Sequence, residues 1–360
     1  MADFQVERRK SRRVKVGNTA IGGGSPVAVQ TMLNVKAADV EGNVRQARLM
    51  QQAGCEILRV SVPTMEDVRL IEAIRSAVDI PLVADIHFDY RIAIACVEAG
   101  VDKIRLNPGN IGGQKNVRAV ADACRACGVP IRIGVNGGSL EEELLAKYGG
   151  VTADALVESA LSHAKLLEDV SFEDIIISIK SSDVPTNVAA YRKIATLCDY
   201  PLHLGVTEAG TWHAGLVKNA IGIGSLLLDG IGDTLRVSLT AEPEKEIKAG
   251  FDILKAAGYP VNQAEVISCP TCGRTNIPVA QIAEAVEAKL AGSGRTLKVA
   301  VMGCVVNGLG EGREADIGIA GGVDSAVLFV KGKQVRTIHS SDYETYVSEL
   351  LKEIEAISLK

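Results

Sequence analysis

Three cysteines carry the chemistry that is easiest to read in this chain. Cys269 and Cys272 form a C-x-x-C in "SCPTCGRT", and Cys304 lies in "VMGCVVNGLGEG". Each sits in a loop with proline or glycine that follows an apolar, strand-like run. Such loop tips pack a thiol poorly and present a metal ligand well. A structural zinc site is normally closed by four ligands, and a [4Fe–4S] cluster normally takes four cysteines. Three thiolates therefore leave one position for another group. His339 is the only histidine of the C-terminal region and would make a Cys3His zinc site. Glu311, seven residues after Cys304 in the same loop, is the alternative, an oxygen ligand to the fourth iron of a [4Fe–4S] cluster. The C-x-x-x-C-x-x-C run used in radical chemistry on S-adenosylmethionine is absent. Cys124 and Cys127 also form a C-x-x-C, but their setting is a helix running into a strand, and they read as buried helix cysteines. Cys55, Cys96 and Cys198 read as small core residues.

A second constellation lies in the first two-thirds of the chain. Polar residues recur two apart inside aliphatic runs: Asp85 and His87, Arg105 and Asn107, Arg132 with Gly134 and Asn136, Ser178 and Lys180, His203 with Gly205 and Thr207, Arg236 and Ser238. Spacing of two places each set on one face of its strand. Arg59, Arg105, Arg132 and Lys180 then face two obvious carboxylates, Asp85 and Glu208. Unpaired buried cations are costly. An internal ion-pair network is one solution, and a bound anion is the other. Arginine suits bidentate recognition of phosphate.

The elements that position these residues alternate between strand and helix from Val27 onward. Eight strand-like runs, from "VAVQTM" through "EILRVSV" and "DIIISIKSS" to "TLRVSL", are separated by segments with helical periodicity. Alternation of this kind implies parallel strands joined by helices. Eight units fit a (β/α)8 TIM barrel, for which about 250 residues is typical; a doubly wound open sheet is the alternative. In a barrel the helices cover the outer face, so the polar sets must point inward, toward the carboxyl ends of the strands where barrel active sites lie. Gly222, Gly224, Gly230 and Gly232, before the eighth strand, suggest a backbone cradle for phosphate. No G-x-G-x-x-G opens a βαβ unit, and no G-x-x-x-x-G-K-[ST] occurs. The pattern changes near Gly258. Residues 1–258 are expected to form the barrel, and 259–360 a smaller α+β domain bearing the three cysteines.

Composition narrows the function classes. The 360 residues are 47% hydrophobic and 23% charged, which suits a globular protein with a sizeable core. A net charge of −5 argues against nucleic-acid binding. The one basic run, "ERRKSRR" at residues 7–13, reads as a solvated N-terminal edge. No apolar segment follows it, and no stretch nears the roughly 20 apolar residues of a membrane span. A cytoplasmic protein is expected, in which the eight cysteines serve as thiols or metal ligands rather than disulfides.

Several longer stretches, "PLVADIHFDYRIA", "RLNPGNIG", "IRIGVNGGSLE", "PLHLGVTEAG", "GIGDTLRVSL", "SCPTCGRT", "VMGCVVNG" and "ADIGIAGG", together resemble the 4-hydroxy-3-methylbut-2-en-1-yl diphosphate synthase family, from about Ile21 to Gly322. The resemblance implies a TIM barrel followed by an iron–sulfur domain. It implies two-electron reductive ring opening and dehydration of 2-C-methyl-D-erythritol 2,4-cyclodiphosphate, in the methylerythritol phosphate route to isoprenoids. It implies a [4Fe–4S] cluster held by Cys269, Cys272, Cys304 and Glu311, with Glu311 giving way to substrate. Electrons would come singly from flavodoxin or ferredoxin, and the protein would be a homodimer in which one copy's cluster domain caps its partner's barrel. With the substrate in the barrel mouth, the candidate binding residues are Arg59, Asp85, His87, Arg105, Asn107, Arg132, Asn136, Ser178, Lys180, His203, Thr207, Arg236 and Ser238. Glu208 would supply a proton to the departing oxygen. Leu309 stands where the family commonly has proline, and Thr31–Ala37 departs from the family's first barrel loop, so no role is carried over to residues 33–36. The rival readings are a non-catalytic iron–sulfur sensor and a zinc-clipped barrel enzyme acting on a phosphorylated sugar.

Overall fold

The computed structural model describes residues 6–291, 293–340 and 342–358, without the side chains of residues 307, 309, 311 and 358. The chain divides into two compact units, residues 1–260 and 261–360.

The first unit is a closed parallel barrel. Its strands are β1 (Ala28–Met32), β2 (Ile57–Ser61), β3 (Leu82–Asp85), β4 (Lys103–Leu106), β5 (Ile131–Asn136), β6 (Ile175–Lys180), β7 (His203–Leu204) and β8 (Thr234–Leu235). Neighbours pair in parallel around the ring, with β8 joining β7 to β1, and an Ile177–Leu202 bridge joins β6 to β7. A helix follows every strand, as the alternating pattern predicts. Aspartates start several of these helices, with Asp39, Asp89 and Asp183 each accepting a hydrogen bond from a first-turn N–H. An N-terminal hairpin of Val14–Val16 and Thr19–Ile21 plugs the amino end. Its Val14, Val16 and Ile21 pack on Ala28, Ile57, Val83 and Ile176.

Three sequence expectations need correction here. The seventh and eighth strands are much shorter than the apolar runs suggest. Beyond Leu235 main-chain pairing thins to Arg236 N–H donating to Leu204 O and Thr240 N–H donating to Gly210 O, and side chains fill in between: Ser238 N–H donates to Asn219 Oδ1, Asn219 Nδ2 donates to Ser238 O, and Leu239 N–H donates to Glu246 Oε1. The glycine run before β8 is not a phosphate cradle. Gly222 and Gly224 lie inside the helix Trp212–Leu228, where a Cβ at Gly222 would stand 2.6 Å from Val206. Gly230 lies at the amino end of β8, where a Cβ would meet the Glu7 carbonyl at 2.0 Å. Gly222 and Gly224 seat their helix against its neighbours, and Gly230 closes the amino end of the barrel. Finally, Cys124 is buried as expected, but Cys127 is exposed.

The second unit is a five-stranded mixed sheet: β9 (Glu265–Ser268), β10 (Lys298–Met302), β11 (Ile317–Gly322), β12 (Ser325–Val330) and β13 (Lys333–His339). Spatial order follows chain order, with the first two pairings parallel and the last two antiparallel. Helices Val279–Leu290 and Tyr343–Ser358 cover one face, burying Ile282, Val286, Tyr346 and Leu350 against Val299, Val301, Ile317 and Ile319. The β12–β13 turn has positive φ at both Lys331 (49°) and Gly332 (71°), the requirement of a tight hairpin turn. The segment read as the Glu311 loop is a helix, Val305–Glu311. Its Gly308 and the following Gly312 let it lie directly on Ala320 and Phe329.

Candidate functional site

Alternation and closure sort the inward side chains of the barrel into layers contributed by alternate strands. Gln30, Val83, Arg132 and His203 come from the odd strands and are all buried, with Asp85 one layer nearer the carboxyl end. Toward the carboxyl end lie Arg59, Arg105, Ser178 and Arg236 from the even strands; Arg236 alone is half-buried. Toward the amino end lie Ile57, Lys103, Ile176 and Thr234.

Asp85 is the centre of the upper network. Its Oδ2 accepts from Arg59 Nη2 at 2.6 Å, and its Oδ1 from Arg105 Nη1 at 3.0 Å. His87 Nε2 lies 3.5 Å from Oδ2, with its ring half-exposed. Burial alone would raise the Asp85 pKa, but Arg59, His87 and Arg105 outweigh it and hold the carboxyl well below its usual range. Arg105 Nη2 also donates to Gly134 O at 2.9 Å, and Gly134 N–H donates to Asn107 Oδ1 at 2.9 Å. The glycines inside the alternating triplets now have a reason. A Cβ at Gly134 would stand 2.4 Å from Arg105 Nε, and one at Gly205 would stand 2.8 Å from Lys180 Nζ. Each glycine clears space for a neighbouring strand's cation.

Two members of the network were missed by sequence reasoning. Glu246, on the helix Pro243–Ala256, is buried and paired with Arg236 (Nε to Oε2 at 3.3 Å); it also accepts from Thr31 Oγ1 at 2.8 Å. The signal was available, since Glu246 falls on that helix's apolar face beside Pro243, Ile247 and Gly250. Lys103, two before Arg105 on the same face of β4, is fully buried. The interior then holds six cations (Arg59, Lys103, Arg105, Arg132, Lys180, Arg236) against two carboxylates (Asp85, Glu246). Burial, and then the neighbouring cations, push Lys103, Lys180 and His203 well below their usual ranges. Arg59 is pushed down to about 10, first by burial and then by Arg105 and Arg236 acting against Asp85.

Of the sequence-predicted residues, the barrel brings together Arg59, Asp85, Arg105, Asn107, Arg132, Ser178 and Lys180 in its buried interior. Asn136, Thr207, Arg236 and Ser238 are partly exposed. His203 differs from the expectation of a mouth residue. It is fully buried in the lower odd layer, with Nδ1 held at 2.5 Å by Thr234 Oγ1. Glu208 is exposed beyond β7 and has φ of +51°, a left-handed conformation costing on the order of 1–3 kcal/mol for a residue with a Cβ.

Two of the cysteines stand at the carboxyl ends of adjacent strands, and among the described residues no group of three or more His, Cys, Asp or Glu is close enough to hold a metal ion. Cys269 follows β9 and Cys304 follows β10, whose last paired residues are Ser268 and Val301. Gly303 N–H donates to Cys269 Sγ at 3.1 Å. The intervening turn is fixed by Cys272 N–H donating to Thr275 Oγ1 (3.1 Å) and Asn276 N–H donating to Gly303 O (2.9 Å). A Cβ at Gly303 would meet Thr275 Oγ1 at 2.9 Å, and one at Gly321 would meet Gly303 O at 2.6 Å, so only glycines let these loops close together. Backbone and side-chain hydrogen bonds from Arg274, with Thr275, pull the Cys272 pKa down. Soft thiol donors, one already receiving an N–H and another favoured as thiolate, fit a thiolate-held iron–sulfur group. His339 does not join them. It ends β13, three strand spacings from β10, or about 14 Å at ~4.8 Å per spacing, so the Cys3His zinc site is out of reach. The Glu311 side chain lies outside the described residues, and so do Leu309's consequences for it.

Fold and site define a TIM-barrel protein with a cation-rich interior, joined to a smaller domain with three cysteines in loops that follow adjacent strands. Residues 11–251 match the GcpE TIM-barrel domain and residues 265–356 the GcpE protein C-terminal domain, and the chain belongs to the GcpE family. It is thereby an iron–sulfur protein. It is 54% identical over 352 residues to a Clostridium perfringens protein, covering 98% of this chain and 100% of the other. It is 52% identical over 349 residues to one from Ruminiclostridium cellulolyticum, covering 97% and 98%. Both relatives are named 4-hydroxy-3-methylbut-2-en-1-yl diphosphate synthase (flavodoxin). Among solved structures, a Plasmodium falciparum HPPK-DHPS chain matches with TM-score 0.50 at 14% identity, covering 69% of this chain and 50% of that one, a likeness of fold alone. Among the described residues, no helix is long and apolar enough to cross a membrane.

Proposed function

We propose that this chain is the oxidoreductase its relatives are named for. It opens the ring of 2-C-methyl-D-erythritol 2,4-cyclodiphosphate, taking up two electrons and two protons and releasing water, to give 4-hydroxy-3-methylbut-2-enyl diphosphate. The observation that carries the reading is the barrel's surplus of buried cations on the same chain as the three-thiol loops. A diphosphate supplies the negative charge the interior lacks. Arg59, Arg105, Arg132 and Lys180 bind it, and Asp85 holds the first two guanidiniums in place. Asn107 and Asn136 stand at the ends of β4 and β5, where they orient the substrate. Glu208, strained and exposed after β7, delivers a proton to the departing oxygen. Cys269, Cys272, Cys304 and Glu311 hold a [4Fe–4S] cluster, which when bound supplies low-potential single electrons drawn from flavodoxin. The protein works in the cytoplasm as a homodimer in which one copy's cluster domain serves its partner's barrel. Anaerobic purification tests this reading. The expected protein is brown, with absorbance near ~400 nm, about four irons and four sulfides per chain, and reductive turnover of the cyclic diphosphate. A colourless zinc protein, or a loaded cluster without turnover, overturns it. Undiminished turnover by Glu208→Gln removes Glu208 from its role.

A further inference from the structure

Below the guanidinium layer the barrel interior holds buried polar side chains of which the proposed reaction uses only Arg132. They are Gln30 of β1, Lys103 of β4, Arg132 of β5 and His203 of β7, and each is at least nine-tenths buried. Lys103 Nζ, Arg132 Nε and Nη1, His203 Nε2, and both side-chain polar atoms of Gln30 have no hydrogen-bond partner among the described residues. Buried polar atoms in native proteins are paired, if not by protein then by ordered water. Several such atoms within one barrel interior call for ordered waters there. The hairpin residues Val14, Val16 and Ile21 close the interior below, against Ile57, Val83 and Ile176.

The charges around Lys103 make this interior responsive. Arg132 from β5 and Arg59 from β2 act on Lys103 itself; Arg105, Asp85 and Tyr191 face Arg132, and Lys180 from β6 faces His203 of β7 together with Lys103. Asp85 is already shared by Arg59 and Arg105, and Glu246 is held by Arg236 and Thr31. No carboxylate is left for Lys103. A buried ammonium among guanidiniums, without a counter-ion, relieves its cost most cheaply by releasing a proton. Burial followed by Arg132 and Arg59 acts in that direction on Lys103. A diphosphate arriving at the mouth reverses the balance. Its two negative charges offset the guanidiniums above, and an ammonium at Lys103 becomes favourable again.

We propose that Lys103 is a proton-accepting group in the barrel interior beneath the substrate mouth, and that binding of the anionic diphosphate draws one proton from solvent onto its amine. The step is balanced: the Lys103 amine gains a proton, the buffer loses one, and the substrate is unchanged. The inference rests on the diphosphate reading above. It also stores a proton next to a reaction that consumes two.

Calorimetric titration of the anaerobic holoenzyme with the cyclic diphosphate, in buffers of differing ionisation enthalpy at pH 7.5, counts the protons. This ligand suits the test, because each phosphate keeps a single strongly acidic oxygen and does not itself titrate near neutrality. Uptake of about one proton is expected for the native enzyme, falling toward zero in Lys103→Met, which fills the space without a charge. The native affinity should also weaken with rising pH, by up to about tenfold per unit. This second measurement keeps the proposal testable where Lys103→Met does not fold. Binding without proton uptake and with pH-independent affinity overturns the proposal and leaves the proposed function intact. Full uptake by Lys103→Met likewise overturns the assignment to Lys103. A native holoenzyme that does not bind the cyclic diphosphate fails the proposed function itself, and this inference with it.

Discussion

His163 should act as a clamp on two loops of the barrel mouth. Its Nδ1 accepts from Gly109 N–H at 3.2 Å, in the turn Pro108–Asn110 after β4. Its Nε2 lies 2.9 Å from Glu141 Oε1, at the end of the loop after β5, and Ser159 Oγ donates to the same oxygen at 3.0 Å. An accepting Nδ1 and a donating Nε2 define one neutral tautomer. The ring lies against Gly109, whose missing Cβ would stand 2.5 Å from Cε1. In His163→Leu both bonds are lost, at about 0.5–1.5 kcal/mol each. Gly109 is exposed and the Glu141 side chain is 39% exposed, so both recover water and the cost falls toward the lower end, about 1–2 kcal/mol. At roughly 2–4 °C per kcal/mol for a unit of this size, the barrel should melt about 2–8 °C lower. The loosened loops carry Asn107 and Asn136, so KM should rise by up to about 5- to 30-fold, the equivalent of 1–2 kcal/mol, with kcat nearly unchanged. The pH dependence has a definite sign. Burial lowers the His163 pKa from its ordinary value, with Glu141 opposing. The clamp's contribution is therefore complete above about pH 6.5, the unfolded value, and fades as pH falls from there through the lower folded value. Protonation then turns Nδ1–H against Gly109 N–H. His163→Gln presents an acceptor and a donor in similar places without titrating. It should restore KM and remove this acid-side loss of affinity. Steady-state kinetics from pH 5.5 to 8 with all three proteins decide the matter. Native KM and an unaltered acid limb in His163→Leu would refute the clamp, as would a glutamine variant as impaired as the leucine one.

Other substitutions probe the interior and the thiols. Gly134→Ala forces a methyl to 2.4 Å from Arg105 Nε and should push that guanidinium off Asp85, at about 1–3 kcal/mol of overpacking and a loss of diphosphate affinity of at least about tenfold. Denaturant midpoints and calorimetry check it, and unaltered affinity would mean that Arg105 does not touch the ligand. Asp85→Asn strips Arg59 and Arg105 of their shared carboxylate and should destabilise the barrel by about 3–5 kcal/mol. Because the Asp85 pKa is depressed on folding, its stabilisation is present above about pH 4 and lost as pH falls further, so urea midpoints of native and variant should converge in acid. Cys304→Ser should lose iron and turnover yet keep diphosphate affinity. Co-expressed with Glu208→Gln, it should regain activity if one copy's cluster domain serves the other's barrel. No recovery in isolated heterodimers would refute that arrangement.

What the sequence discloses follows from how each residue earns its place. The two-residue spacing of Arg105 and Asn107, or of Ser178 and Lys180, is legible because strand alternation is a local property, and closure into a barrel turns that face inward. Lys103 obeys the same rule from the first position of its strand. Glu246 is harder to see, because its partner Arg236 comes from a different kind of element and a helical carboxylate is usually solvated. The glycines mark the real limit. Gly134 and Gly205 make room for cations, Gly222 for Val206, and Gly230 for the Glu7 carbonyl, yet in sequence the last two resemble a phosphate loop and the first two a strand alternation. A missing side chain reports that something approaches closely and never what approaches. Only three-dimensional packing separates a glycine facing Arg105 from one facing a backbone carbonyl. The interior charge surplus depends on the same information, since Lys103 and Arg132 are distinguished by the partners they lack.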